Sequence, residues 1–469
     1  MLRRGCLEPN KLMSRTPSGD KALQNSPSKS RSSGHKPMIR AFGLIIVTAA
    51  LAINGDPANT PMIAKIIHFP TVVLAHSTTA SRPTGTTTQV AVLRASNPLI
   101  VAPPGANINI QTNFNAQSPL PKDYSLVLFL VDARGVEATR VENNLNNNLT
   151  VLPTTRWMGP ITLLISIPIP KLAHGMYSIM VALSGSAGPI QLTSGPGVTQ
   201  DPGFRYKIGT IRVDPSAPAP ALLPAKTLDL TGYHLTLDES FTFLSISDSK
   251  THDGSRWYAK NEECCMSTTD KTATAMVGIS SPHNPFSLIP GGGLNIRLQR
   301  TLNSWTSGVL TSVDSVGEGF SQQYGYFEMK AKFPRGEDTW PAFWLLNTAS
   351  KRDRAAAGEI DVVEYVANPH FANYIATTLH DWSNHTTPAA SHYRVPLPTV
   401  GFHTYGIMWT PATMTFYFDS AVTMRCPTPP IMKQPYYLVV DLGIGSGWPT
   451  TNTPHTNDMQ IEYVRAYSQ

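Results

Sequence analysis

A chain of 469 residues is long enough for two or three folded units with buried cores. Hydrophobic residues at 41% and charged residues at 14% exclude a long disordered acidic or basic chain; 40 prolines and 33 glycines without a Gly-X-Y period exclude collagen and argue against helical bundles. The formal charge of +6 is unevenly placed: residues 1–40 hold nine Lys or Arg against Glu8 and Asp20, while the remainder holds 28 basic against 29 acidic groups. The bulk of the chain is therefore near neutral, and nucleic acid is not expected as a partner.

The basic stretch ends at Arg40 and runs into an apolar segment, Ala41 to Ile53, broken only by Gly43 and Thr48 and carrying Ala50-Leu51-Ala52 as a small-residue cleavage signal. Residues 1–53 thus read as a basic n-region and signal peptide, with translation expected to start at Met38, and the protein is expected to be secreted or periplasmic. Thirteen residues of helix rise about 20 Å, short of a hydrocarbon core of about 30 Å, so membrane contact is expected only if the segment stays uncleaved as an anchor. Of Cys6, Cys264, Cys265 and Cys426, one of the adjacent pair could join Cys426 in an oxidising compartment; no Cys/His spacing suggests zinc.

Residues 54–87, rich in Thr, Ser, Ala and Pro, read as a linker. From 88 to 213, apolar runs at Gln89–Leu93, Asn107–Asn113, Tyr124–Asp132, Pro160–Pro168, Tyr177–Ser184 and Tyr206–Val213 alternate with turn signals such as Pro103-Pro104-Gly105, the spacing of an immunoglobulin-like β-sandwich. It has one tryptophan, Trp157, and no catalytic constellation, so it reads as an accessory module, a spacer in preference to a sugar-binding unit. Residues 214–226 contain Asp214-Pro215-Ser216-Ala217-Pro218-Ala219-Pro220 and Pro224, an extended Pro-rich linker. Residues 227–469 carry seven of the eight tryptophans and no long amphipathic helix, which suggests a larger all-β unit of two packed sheets, a jelly roll.

Gly358-Glu359-Ile360-Asp361-Val362-Val363-Glu364 sets three acids among β-branched residues. On a helix they would point about 0°, 200° and 140° around the axis and could not converge. On a strand Glu359 and Asp361 share a face, and a β-bulge at Val362-Val363 returns Glu364 to it. Three adjacent carboxylates must spread their pKa values, the arrangement that separates an acid from a nucleophile; a calcium-binding strand or a solvated edge would also use such acids.

These residues resemble the E-x-D-x-x-E signature of glycoside hydrolase family 16 in its bulged, laminarinase-like form. The likeness extends to Leu237-Asp238-Glu239-Ser240-Phe241, Tyr324 to Lys330, Trp340-Pro341-Ala342-Phe343-Trp344-Leu345-Leu346, Phe402 to Thr410 and Ile461 to Tyr467, in order across residues 227–469. It implies a concanavalin-like β-jelly roll acting on a β-linked polysaccharide, and a retaining endo-glycosidase for β-1,3 or mixed β-1,3/1,4 glucans or a related exopolysaccharide. Within it, Glu359 is the expected nucleophile, Glu364 the acid/base and Asp361 the residue that positions and tunes them. His380 is expected near the acid/base, and Trp340, Trp344, Trp409 and Trp448 as sugar-binding aromatics. No cofactor is expected; the family's structural calcium is in question because Glu462 stands where an Asp is usual. The protein is expected to act as a monomer. A transglycosylase using the same site and a non-hydrolytic β-glucan-binding protein are the alternatives.

Overall fold

The computed structural model describes residues 89–469 apart from 97, 144–149, 170, 172–173, 260–273, 303, 354–355, 368–372 and 445–449. The signal segment, the 54–87 linker, Trp448 and the Cys264-Cys265 pair lie outside the described residues. Regular structure is almost entirely β, as the proline load and the missing amphipathic helices imply. Among the described residues no helix is long and apolar enough to cross a membrane.

Residues 90–213 fold as two packed sheets. One contains Val90–Leu93 beside β1 (Asn107–Ala116), with β2 (Thr150–Val151) reaching away from it and β3 (Gly159–Pro168) pairing along the whole of β1. The other is ordered Tyr206–Val213, Gly175–Gly185, Ser125–Val131, Glu137–Asn143. Side chains alternate across each strand, so Ile108, Ile110 and Phe114 meet Leu126, Leu128, Leu130, Ile179 and Val181 in one core. Trp157 closes it, buried at 4.8 Å from Phe114 with its indole N–H donated to the Leu152 carbonyl.

The second region is built around β4 (Thr339–Asn347), β5 (Gly358–Glu364), β6 (Tyr374–Asp381), β7 (Thr386–Arg394), β8 (Ala421–Pro427) and β9 (Tyr436–Ile444). Its first sheet runs Val309–Thr311, β9, β4, β5, β6, β7; its second runs β8, Thr413–Phe418, His403–Trp409, Gly325–Lys332, Thr456–Ser468, Leu294–Arg300. Core-facing residues from the two, including Phe327, Met329, Phe343, Leu345, Ile360, Leu379, Ile407 and Val464, are wholly buried. This is the two-sheet jelly roll expected.

The two regions are not held apart by an extended linker. β3 pairs antiparallel with β8 in the register Leu163 opposite Met424 and Thr162 opposite Arg425, making one continuous sheet through both regions. β2 pairs with β7, Thr150 opposite Ser391, and so edges the sheet that carries the acids. The Pro-rich stretch is docked as well: the Leu222 carbonyl accepts a hydrogen bond from Asn109 Nδ2 at 2.6 Å, and Lys226 bridges to Ala421. The composition of 214–226 indicates extended backbone, and extended backbone offers its carbonyls to a neighbour as readily as to water.

Candidate active site

β5 lies in the middle of its sheet between β4 and β6, so both its edges are paired and only its side chains are free for chemistry. The register against β4 is Glu359 opposite Leu346, Asp361 opposite Trp344, then Val363 opposite Phe343 and Glu364 opposite Ala342. The step from Asp361 to Val363 consumes one residue too many: Val362 is the bulge, its carbonyl accepting from Thr377 Oγ1 at 3.0 Å. Without it Glu364 would point into the core; with it three carboxylates stand in a row on one face while Ile360 and Val363 remain fully buried on the other.

Burial of the acids is nearly complete, with 1% exposure at Glu359, 1% at Asp361 and 8% at Glu364. A buried carboxylate needs donors. Glu364 Oε1 accepts from Trp340 Nε1 at 3.1 Å, and Glu359 Oε2 accepts from Trp382 Nε1 at 2.9 Å. Asp361 Oδ2 lies 3.1 Å from His380 Nε2, a close but poorly aligned contact that leaves neither Asp361 oxygen in a well-formed hydrogen bond. His380 is in turn stacked on Trp382, rings 4.7 Å apart and 9° from parallel.

Burial, then repulsion from Glu364 and Glu359, holds the Asp361 carboxyl well above the usual carboxylate range, with His380 partly opposing the shift. Burial by itself would lower the His380 pKa, but the contact with Asp361 and the charges of all three acids push it up to about 9. The central pair therefore retains a proton at neutral pH, which relieves the repulsion between the outer glutamates. Glu359, Asp361 and His380 also bring one donor atom each within 4.8 Å of one another, a spacing compatible with a cation.

Of the predicted site residues, the structure brings together Glu359, Asp361, Glu364, Trp340 and His380. Trp340 is half-buried and bound to Glu364 through its N–H, so it is placed at the acids. Trp344 and Trp409 are corrected: neither offers a face to a sugar. Trp344 shares the face of Asp361 but is fully buried, its Nε1 donated to Asp441 Oδ1 at 2.6 Å beneath Trp382 and Val439. Trp409 lies in the opposite sheet, fully buried among Tyr324, Phe327 and Tyr436. Cys426 is a free, fully buried thiol, so the disulfide considered for it is not formed; burial pushes the thiol up to about 12. Glu462 is engaged by Lys330 at 2.8 Å.

Trp382 and Asp441 were not singled out by sequence reasoning. Trp382 follows the last residue of β6, where strand parity stops being informative, and only its closeness to His380 in sequence could have signalled it. Asp441 reads as a lone acid in an apolar run, Leu438 to Leu442, and its partner Trp344 is about a hundred residues away in the chain.

Residues 287–465 match the family profile described as Glycosyl hydrolases family 16. The chain is 35% identical over 259 residues to the endo-1,3-1,4-beta-glycanase EglC of Rhizobium meliloti (strain 1021), covering 51% of this chain and 53% of that protein. It is 31% identical over 257 residues to the endo-1,3-1,4-beta-glycanase ExsH of the same organism, covering 52% and 53%. A solved structure of a mutant of SCLam, a non-specific endo-beta-1,3(4)-glucanase from family GH16, aligns with a TM-score of 0.43 at 22% identity over 52% of this chain and 98% of that one. The chain spans about half the length of the curated relatives it matches.

Proposed function

We propose, from the match of residues 287–465 to glycosyl hydrolases family 16, that the protein is an endo-acting β-glucan hydrolase that retains anomeric configuration. The observation that carries the reading is the bulge at Val362, which places Glu359, Asp361 and Glu364 on one face with an indole N–H on each glutamate.

In the proposed first step Glu364 gives its proton to the glycosidic oxygen as the C1–O bond breaks, and a Glu359 oxygen forms the new bond to C1. Water then attacks C1, the ester to Glu359 breaks, and Glu364 takes the proton back. The elevated Asp361–His380 pair keeps a proton between the glutamates, so that charge can move from Glu359 to Glu364 without two bare carboxylates facing each other. Hydrogen bonds from Trp382 and Trp340 each hold one oxygen of a glutamate and so fix the orientation of its carboxyl group.

The substrate proposed is a β-1,3 or mixed β-1,3/1,4 glucan or a related exopolysaccharide, supported by the endo-1,3-1,4-beta-glycanase relatives. An extracytoplasmic location is proposed from the basic run and apolar segment that end near Ile53. The test is the release of reducing ends from β-1,3 and mixed-linkage glucans, with linkage analysis and the anomeric form of the first product followed by NMR. Binding without release of ends, unaltered by Glu359→Gln, would remove the hydrolase reading.

A further inference from the structure

The face of β6 and β7 beyond Glu364 carries a cation, Arg394, with which no carboxylate pairs among the described residues. Glu364 lies opposite Ala376, Ala376 opposite His392, and Tyr374 opposite Arg394, with no register break between Thr378 and Tyr374 on β6 or between Ala390 and Arg394 on β7. Strand alternation therefore puts Tyr374, His392 and Arg394 on the face of the acids; Ile375, Tyr393 and Val395, the alternate residues, are buried in the core at 2% exposure or less. Two strand spacings lead from Glu364 to His392, and Arg394 lies two residues further along β7, about 12 Å from Glu364 and within reach of a polymer lying across the sheet.

Arg394 is half-buried, with its guanidinium over the Tyr374 ring at 4.8 Å. Its Nε is buried and has no hydrogen-bond partner, and among the described residues no carboxylate pairs with it. A guanidinium is always charged, and with no carboxylate pairing with it among the described residues, the outer, half-exposed edge of this one offers its charge to an acceptor from outside the chain.

The backbone of Arg394 is nonetheless fixed with care, and the sandwich does it. Asn109 Nδ2 donates to the Arg394 carbonyl at 2.7 Å, and the Arg394 N–H donates to Ser166 Oγ at 3.3 Å. Ser166 Oγ in turn donates to Asn109 Oδ1 at 2.6 Å. With its other N–H on the Leu222 carbonyl, the Asn109 amide is fully used.

We propose that Tyr374, His392 and Arg394 form a subsite for a carboxylate-bearing sugar residue of the polymer, held in place by the sandwich. The guanidinium edge and the imidazole meet the carboxylate, and the Tyr374 ring fixes the guanidinium plane against rotation. This rests on the glycan-hydrolase reading of the same site and assigns it a substrate class: β-glucans bearing acidic substituents. The sandwich then acts as the part of the enzyme that positions Arg394.

The experiment compares mixed β-1,3/1,4-glucan with the same glucan carboxymethylated. The ratio of kcat/KM on the two is read for wild type, Arg394→Met, Arg394→Lys and Asn109→Ala. Affinity of the Glu359→Gln protein for both polymers, with and without Arg394→Met, is read by calorimetry. The expected result is a preference for the carboxymethylated polymer of about 5-fold at low salt, falling as ionic strength rises. Arg394→Met should bring the ratio to unity, Arg394→Lys should keep part of it, and Asn109→Ala should lower it although the charge remains. A wild-type ratio of unity, or one that Arg394→Met leaves unchanged, overturns the proposal. Failure of both polymers to be cut would count against hydrolysis, while the calorimetric ratio would still decide the role of Arg394.

Discussion

The sandwich and the jelly roll bury side chains to a similar depth but bury different chemistry. Among the described residues eight carboxylates are buried, Glu239, Asp314, Glu328, Asp338, Glu359, Asp361, Glu364 and Asp441, and all lie in the jelly roll; the sandwich buries only neutral polar groups such as Asn109, Gln111 and Thr112. Strand Ser125–Val131 shows the contrast with β5. Its Leu126, Leu128 and Leu130 face the shared core, and Val127, Phe129 and Val131 enter a second apolar cluster with Met180 and Ala182. On β5 one face is equally apolar and the other is acidic. Burial of acid alone does not mark a reaction centre, since Glu328 is satisfied by the hydroxyls of Tyr326 and Tyr463, and Glu239 by the Phe241 N–H and Arg256. Asp361 differs in having neither oxygen well bonded and two like charges beside it. Such an arrangement costs stability and persists where reactivity requires it.

The largest expected effect tests that distinction. Glu359→Gln and Glu364→Gln should each lower kcat by several orders of magnitude while the thermal unfolding curve stays near wild type. Glu328→Gln, which strands the hydroxyls of two tyrosines on a weaker acceptor, should show the reverse: lower stability by about 1 to 3 kcal/mol and much of the activity kept. If Glu328→Gln abolished turnover without unfolding, the structural and reactive acids would not be separate sets.

Next in size is removal of residues 1–221. It would strip β3 from β8 and β2 from β7, opening two strand edges at once and cutting the Asn109 contacts. Open edges are templates for aggregation, so the shortened chain should be less soluble than the full chain, as measured by light scattering after purification. A soluble, monomeric and equally stable product would show that the shared sheet is dispensable and that the sandwich is the separable spacer its composition suggests.

Much of this was legible in the chain because strands announce themselves by alternation. The runs at Asn107–Asn113, Pro160–Pro168 and Tyr206–Val213 appear as strands with ends shifted by few residues, and the bulge at Val362 followed from the parity of Glu364 alone. What parity cannot give is the partner across a sheet. Trp344 satisfies every local criterion of a sugar platform, yet Asp441 and Trp382 cover it; both partners are distant in the chain. The junction was missed for the same reason: the pairing of Leu163 with Met424 joins segments whose sequences each read as ordinary strand, and a proline-rich stretch between them suggests separation. Short strands such as Thr150–Val151 carry too few residues to show a period at all.

Within the site, Trp382→Phe keeps the ring on His380 and removes only the N–H to Glu359. Loss of one donor to a charged group should lower kcat about 10- to 100-fold. KM should change less than kcat, a split that simple loosening of the loop would not produce.

The smallest expected effect lies on the opposite sheet, where His403 Nδ1 meets Asp419 Oδ2 at 2.8 Å and Nε2 meets the Val400 carbonyl. Burial works against charging this ring, but the Asp419 contact outweighs it, and the folded-state pKa is raised above 6.5. A raised pKa means that the folded state holds the proton more tightly than the unfolded chain. The stabilisation is therefore fully present below about pH 6.5 and fades as pH rises through the folded value. Both partners are partly exposed, so the contribution is at most about 1 kcal/mol. The stability difference between wild type and His403→Gln, followed by chemical denaturation, should be largest near pH 6 and shrink toward pH 9. Since His403 is on the sheet without the acids, kcat on glucan should follow the same pH curve in both proteins. A displaced curve would mean that the jelly roll's two sheets are coupled electrostatically, and the division between its structural and reactive charges would have to be redrawn.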